Sequence, residues 1–407
     1  MFARLESRFP ASSIPTIRQH YILTALRNCW FVEGNWFFYW TRYMSTGELG
    51  WLDAITFGFG LLVEIPSGAI ADFLGRKKTL AAGALLAAAG ITLMTLANAS
   101  WYFWVGSFLL NTGWAFFSGA DEAIVYDTLL ENKQVKVYDQ VLATTGIIAR
   151  ITAVFTILLG GWLYMLNIKL PNALWALAHL AAFFAAMGMK EPAIDTYKFN
   201  FKSYARQIID GGRQLLRPVF QKYSLVAIAL LSTYYLYDYS LIKPASAKSF
   251  GLLESEQAWL YAAFNIVGAA AVAFLPKLRK LVGEKRGFYA LIIVMLTGLI
   301  LSTFPLGFFG VAAMMLILIS GTLSHPWVSV LVNQEIPSRY RATTLSSLAL
   351  ITKLPHVLFA VMVGAMVENG QLSQFLWYMA FGLMVALVLG FLVSSRVAKN
   401  PVFRSQR

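Results

Sequence analysis

One cysteine, Cys29, stands among 407 residues. A lone thiol excludes an intrachain disulfide framework and a cysteine-based zinc cluster, and it leaves the redox compartment unread. Charge is also scarce: Asp, Glu, Lys and Arg make up 13% of the chain, half of the ~25% usual in globular domains. Together with apolar runs of spanning length, that shortage excludes a water-soluble enzyme. No Gly-x-x-x-x-Gly-Lys-Ser/Thr loop occurs, so nucleotide hydrolysis is not the direct energy source. The first 20 residues hold Arg4, Arg8 and Arg18 but no short apolar region with a small-residue cleavage site, and they are expected to form a retained cytoplasmic tail. No metal or cofactor is expected.

What is present is apolar. Hydrophobic residues reach 58%, aromatics 15%, and the mean hydropathy is +0.62. A crossing helix needs roughly 20 apolar residues. Breaking the chain at its charged, Gly, Pro and Asn clusters leaves twelve such segments: 20–43, 48–72, 78–97, 101–130, 138–166, 171–189, 219–246, 257–276, 287–305, 308–333, 341–367 and 372–396. The net charge of +13 does not point to nucleic acid, because the basic residues cluster between apolar runs. Assigned to alternate sides, 26 Lys and Arg fall on one side, and the other holds little beyond Lys169. The bias places both termini and the linker in the cytoplasm. The expected organisation is a tail (1–19), a six-helix bundle (20–190), a linker (191–218), a second six-helix bundle (219–396) and a second tail (397–407). Residues 197–217 of the linker read as a basic amphipathic helix on the membrane surface.

The halves look duplicated. A single ungapped offset of 208 pairs Trp51 with Trp259, Gly75 with Gly283, Lys77 with Lys285, Gly90 with Gly298, Gly113 with Gly321 and Asp127 with Glu335. Parallel repeats of this kind place a solute site near the bilayer midplane and work by rocking one half against the other.

Between the second and third segments the chain reads Gly68-Ala-Ile-Ala-Asp72-Phe-Leu-Gly75-Arg76-Lys77-Lys78. Gly75 permits a tight turn, Asp72 is suited to a helix N-terminus, and the basic run holds the loop at the cytoplasmic face. This stretch resembles the signature loop of the major facilitator superfamily. A second stretch, Leu275-Pro-Lys277-Leu-Arg279-Lys280-Leu-Val-Gly283-Glu-Lys285-Arg286, resembles its degraded copy without the aspartate, and Pro337-Ser-Arg339-Tyr-Arg341-Ala-Thr looks like the loop between spans 10 and 11. The resemblance covers nearly the whole chain. It implies an all-α polytopic membrane protein, with twelve transmembrane helices in two pseudo-symmetric bundles. It also implies a cytoplasmic lock of Gly68, Asp72, Gly75, Arg76 and Lys77 with Asp127 on span 4, holding the outward-facing state.

Ionisable residues inside spans are costly and face partners or water-filled cavities. The candidates are Arg27 and Glu33 on span 1, Asp53 and Glu64 on span 2, Asp121 and Glu122 on span 4, Arg150 on span 5, Asp238 and Lys243 on span 7, and Lys353 on span 11. Asn35, His325 and His356 join them as polar or titratable groups. Asp121 and Arg150 lie at equal depth on either side of the span 4 to 5 loop, so an Asp121 or Glu122 pair with Arg150 is expected; Arg27 and Glu122 also share a depth. Glu33 has no cation within one turn and is the expected titrating carboxylate. His325, before Pro326, is expected to cap a helix break, and His356 is expected beside Lys353 near the midplane. Trp30, Phe31, Trp36, Phe37, Phe38, Tyr39 and Trp40 on span 1, with Tyr234, Tyr235, Tyr237 and Tyr239 on span 7, offer aromatic walls for an amphiphilic solute.

The resemblance implies a monomeric secondary active transporter in a bacterial inner membrane, moving a small charged or amphiphilic organic solute by alternating access. Protons and membrane lipid are its other partners. Arg27, Arg150 and Lys353 favour uptake of an anionic metabolite or siderophore, whereas Glu33, Asp121, Glu122 and Asp238 suit proton-antiport efflux of lipophilic cations. The span 5 stretch Gly160-Gly161-Trp162-Leu163 lacks the proline of the drug-antiporter motif it resembles. A lipid flippase and a non-transporting receptor are the further alternatives. The lock implies that Asp72→Asn impairs solute flux in proteoliposomes while leaving ligand binding in detergent largely intact; normal flux would remove Asp72 from the lock.

Overall fold

A computed structural model describes residues 9–193, 206, 209, 213–215, 218–335 and 338–399. Among these residues the fold is helical and contains no strand. The first half holds α1 (Pro15–Arg27), α2 (Trp36–Trp40), α3 (Thr46–Leu74), α4 (Arg76–Thr95), α5 (Trp101–Glu131), α6 (Tyr138–Leu166) and α7 (Leu170–Met187). The second holds α8 (Pro218–Tyr239), α9 (Ile242–Ser249), α10 (Glu254–Val282), α11 (Glu284–Leu301), α12 (Gly310–Glu335), α13 (Ser338–Glu368) and α14 (Leu372–Lys399). Helix is the form that satisfies every backbone polar group inside a single apolar segment, which is what hydrocarbon demands.

Each of the twelve expected segments contains helix, the first of them only at 20–27 and 36–40. Among the described residues, seven helices are long and apolar enough to cross a membrane, or up to nine if two bent pairs, one within α3 and one running from α8 into α9, each count as one span. The protein is therefore a multi-pass membrane protein. The amphipathic helix expected in the 191–218 linker falls for the most part outside the described residues, as do residues 1–8 and 400–407 of the two tails.

The duplication is visible in backbone geometry. α3 and α10 are both 29 residues long, and their limits differ by the same 208 positions that relate the sequence pairs. Each is followed by one glycine in the left-handed region: Gly75 at φ +91°, ψ 148°, and Gly283 at φ +78°, ψ 153°. That conformation turns the chain between α3 and α4, and again between α10 and α11, within a single residue.

Two departures from the expected spans bear on function. Span 1 is not one helix: α1 stops at Arg27, residues 28–35 run through turns, and helix resumes only for α2. Asn28 closes α1 through its side-chain Nδ2, which donates to the Thr24 carbonyl at 2.8 Å, and the Asn28, Gly34 and Asn35 sequence resists continuation. Span 7 also breaks, with a 65° bend between 223–239 and α9. Pro244 has no N–H to donate back to the Ser240 carbonyl, so the helix cannot run straight through. Spans 1 and 7 hold equivalent places in the two halves.

The chain forms two compact units. One contains the described parts of Met1–Met44, Ile55–Phe201 and Glu254–Asn265; the other contains those of Ser45–Ala54, Lys202–Leu253 and Ile266–Arg407. Each unit thus takes in a short segment from the opposite half of the sequence. In the first, α4 packs against α5 and α7 around Leu80, Ala84, Ile124, Val125, Ala182 and Ala186, all inaccessible to solvent or nearly so. In the second, α11 packs on α12 and α8 on α14, with Phe288, Ile292, Met295 and Ile317 fully buried. Large apolar side chains such as Phe155, Leu358 and Phe391 remain exposed, as lipid-facing positions should be.

The two turn glycines differ in surroundings. A Cβ at Gly283 meets nothing within 4 Å, whereas one at Gly75 lies 3.1 Å from the Glu191 carboxylate. Gly283→Ala is expected to lose about 1–2 kcal/mol from backbone strain alone, and Gly75→Ala more, so the thermal unfolding midpoint in detergent should fall further for Gly75→Ala.

Candidate functional site

The break in span 1 carries the first cluster. Arg27, at the end of α1, places its guanidinium 2.9 Å from Oδ2 of Asp121 on α5 and 4.9 Å from the centre of the Phe117 ring. His20, two turns earlier on α1, brings Nδ1 to 3.3 Å from the other Asp121 oxygen. The Asp121 side chain is 14% exposed and that of Arg27 is 25% exposed, so the pair is largely desolvated while the cation keeps one open side. Trp30 leads out of the break with ring contacts to Trp114 and Trp175, and Trp175 meets His179 edge-on. Thr24 Oγ1, Trp175 Nε1 and His179 Nε2 are buried without a hydrogen-bond partner. Orphan polar atoms of this kind are what water or a polar solute satisfies.

This arrangement corrects the expected pairing. Asp121 is bound by Arg27 and His20, whereas Arg150 and Glu122 are exposed. Equal depth sets two residues at one level along the bundle, but the direction of each side chain follows its rotation about its own helix. Asn35 is fully buried and fastens the break itself, donating from Nδ2 to the carbonyls of Phe31 and of Gly160 on α6, both at 3.3 Å. Glu33 lies half-buried within the broken stretch.

The break in span 7 carries a second, similar cluster. The Lys243 Nζ of α9 donates to Oδ1 of Asp238, near the end of α8, at 2.8 Å, and the Tyr234 hydroxyl reaches Oδ2 at 3.4 Å. The Lys243 side chain is 8% exposed. Each interrupted helix therefore holds a cation–carboxylate pair where its axis breaks.

A third cluster joins α13 to the start of α3. His356 Nε2 is 3.1 Å from Asp53 Oδ2, and the Tyr235 ring meets the imidazole edge-on at 5.7 Å. His356 is buried while Lys353, one turn away, is half-buried. The expected cap at His325 is not formed: α12 continues through Pro326 to Glu335, and His325 is exposed on it. A lone proline with its neighbours in place removes one hydrogen bond without ending a helix.

The signature loop forms the fourth. The Arg76 guanidinium is paired with Asp127, and its Nη1 donates to the Ala123 carbonyl at 2.7 Å. The backbone amides of Arg76 and Lys77, at the start of α4, donate to the two oxygens of Glu191 at 2.7 and 2.8 Å. The carboxylate on this helix N-terminus is therefore Glu191, not the expected Asp72, which is exposed with Gly68 half-buried one turn before it. Asp72 precedes the turn on α3, where its side chain rides on the outgoing helix; Glu191 arrives from beyond α7. His20 and Glu191 were both missed by sequence reasoning. Each is brought to its partner from more than 100 positions away, and no local spacing signals it.

Among the described residues, no group of three or more His, Cys, Asp or Glu side chains is placed to hold a metal ion. Of the span 1 rings, Tyr39 is fully buried with its hydroxyl donating to the Met94 carbonyl at 2.8 Å, and Trp40 packs on Phe103; these rings serve packing.

The profile of the Major Facilitator Superfamily matches residues 2–360. Curated relatives include the multidrug resistance protein MdtH of Sodalis glossinidius, 26% identical over 269 residues, an alignment covering 64% of this chain and 62% of that protein. MdtH of Proteus mirabilis is 31% identical over 170 residues, 40% of this chain and 42% of that protein. The chain thus spans about three fifths, or less, of the length of these relatives. Among solved structures, the nucleoside transporter NupG superposes with a TM-score of 0.70 at 14% identity, over 95% of this chain and 100% of that one. A D-xylose-proton symporter superposes with a TM-score of 0.65 at 13% identity, over 93% of this chain and 95% of that one.

The span 1 cluster is testable as a unit. Arg27→Ala leaves Asp121 buried without its guanidinium and should lose about 3 kcal/mol of stability. Arg27→Ala with Asp121→Ala should lose less than the two single losses together, read from unfolding in detergent; strict additivity would show that the pair does not act as one.

Proposed function

The chain belongs to the major facilitator superfamily, and from that premise we propose that it is a proton-coupled secondary transporter of a small amphiphilic organic solute. The observation that carries this reading is the pair of interrupted first helices, one in each half, each with a cation–carboxylate pair at its break. Discontinuous helices at matching places in two repeats present loosened backbone and charge to a solute at the midplane. In the first unit Arg27 is the group that binds a solute anion, in exchange for the oxygens of Asp121; in the second, taken by itself, Lys243 offers the same exchange with Asp238. Beside Arg27, the rings of Trp30 and Trp114 take its apolar part. Nothing in this reading requires a covalent step on the solute.

Arg76, Asp127 and Glu191, with the Asp72 carboxylate acting electrostatically on Arg76, act as the lock on the face that carries the Gly75 turn. The charge bias of the loops supports a cytoplasmic position for that face and for both termini, and the MdtH relatives support a bacterial inner membrane. The protein works as a monomer in this reading, with proton and solute as its transported partners.

Direction has two readings. Uptake of an anionic metabolite or siderophore fits Arg27 and Lys353. The likeness to MdtH, a multidrug resistance protein, supports efflux of amphiphilic compounds by proton antiport. The pairing of Arg27 and Lys243 with carboxylates supports it too, because a neutral pair accepts either sign of solute.

Thermal unfolding against organic anions, siderophores and lipophilic cations at pH 5.5 and 7.5 tests the reading. A ligand at a hundredfold excess over Kd stabilises by about 2.7 kcal/mol. Anion stabilisation that is lost in Arg27→Ala, with flux driven by an inward proton gradient in proteoliposomes, supports uptake. Cation stabilisation that grows at high pH supports efflux. A protein that no compound stabilises and that shows no gradient-driven flux is not a transporter of this kind.

A further inference from the structure

Residues 45–54 begin α3, in the first half of the sequence, yet belong to the compact unit of the second half. They are fastened to α13 along one seam. At its outer end the Glu368 carboxylate accepts from the Gly47 amide at 2.6 Å and from Ser45 Oγ at 2.9 Å, at the positive end of α3. In the middle, a Cβ on Gly50 would lie 2.9 Å from the Gly364 Cα, so the two backbones touch with no side chain between them. At its inner end stands the pair of His356 and Asp53. Gly47, Gly50 and Asp53 recur every three residues, while His356, Ala360, Gly364 and Glu368 recur every four. Both spacings follow one face of a helix, and the antiparallel order matches the outer, middle and inner contacts.

We propose that Asp53 and His356 form a proton-binding site that latches the start of α3 onto α13, holding when the imidazole is charged and loosening when it is neutral. Imidazole is the side chain whose charge changes between pH 5 and 8, and neither a glycine contact nor an amide cap does. The His356 side chain is 1% exposed and that of Asp53 24%. A charged ring there must have its carboxylate, and a carboxylate left beside a neutral ring has a route to water. Other titratable and charged groups stand around the ring. Tyr235, on α8, meets the imidazole edge-on and is stacked on Tyr239. Asp238, also on α8, is tied to Lys243 of α9. His325, on α12, is exposed, and Lys353 lies one turn away on α13 itself. The flat Gly50–Gly364 contact has no interlocked side chains to resist separation.

The consequence for transport rests on the alternating-access reading. The seam joins the loop after span 1 to the loop after span 11, the side that also carries Lys169. Opening on that side has to part the seam. A proton taken up there closes the seam, and its loss to the opposite side frees it, so proton movement and gating are one event.

The test needs a single background change, because Cys29 is the one native cysteine. In Cys29→Ser, spin labels at Trp51→Cys and Asn369→Cys, both exposed positions, report the seam by pulsed dipolar spectroscopy in lipid nanodiscs, with no solute added. The short distance should dominate at pH 5.5. The ratio of closed to open should fall about tenfold or more at pH 8.5, one pH unit of proton-affinity difference being a factor of ten. His356→Gln keeps a neutral donor and should erase the pH response; Asp53→Asn, on the other helix, should erase it as well. An unchanged ratio in the parent, or a response that survives in both variants, overturns the latch. Distances that follow pH in a protein moving no solute would sustain the latch and refute the transport reading; pH-driven flux with pH-blind distances would do the reverse.

Discussion

A charge inside an apolar bundle has to be neutralised where it stands, and the internal organisation of this protein follows from that constraint. Removing one ion from water costs several kcal/mol even after the surroundings relax. Among the described residues, four carboxylates meet the demand of basic side chains that are at least half-buried: Asp121 that of Arg27 and His20, Asp127 that of Arg76, Asp238 that of Lys243 and Asp53 that of His356. Each pair joins two helical elements, so each ties the position of one element to that of another.

Stability alone gives no reason for so many pairs, since well-packed apolar residues of similar volume hold helices together as well or better. What a pair offers is exchangeability. A proton, a solute carboxylate or an entering cation can replace one member and leave the other satisfied, and an apolar contact has no such alternative. Two of the pairs stand at helix breaks, where Asn28, Asn35 and Pro244 have already interrupted the backbone ladder and local rearrangement meets less resistance. The other two stand on seams between long helices, the signature turn at Gly75 and the α3–α13 contact. In the proposed reading, sites for solute and sites for gating are built from the same element, a desolvated ion pair, in two mechanical settings.

Much of this architecture is legible along the chain. The lengths of the apolar runs, the basic loops and the stretch from Gly68 to Lys78 specify a multi-pass helical protein of this superfamily, and the pairing of Gly75 with Gly283 anticipates two turns with nearly the same backbone angles. Candidate charges were also identifiable, because an ionisable residue in a span stands out against its neighbours. Their partners were not. Depth arithmetic put Asp121 level with Arg150, but level is one coordinate of three, and rotation about α1, α5 and α6 gave the carboxylate to Arg27 and His20 instead. Glu191 escaped notice for a similar reason: it lies beyond the end of α7 and reaches the amides of α4 only once the helices are packed.

The sequence by itself determined the solvent, the family, the positions of the helices and the places where charge is confined, because each of these depends on composition and on contacts within about twenty residues. Only the tertiary structure decided which charges meet, that spans 1 and 7 are broken rather than continuous, and that residues 45–54 and 254–265 belong to the unit of the opposite half. Those outcomes depend on how each helix is rotated about its own axis and on which neighbour it packs against, and a linear pattern of 3.6-residue periodicity carries neither.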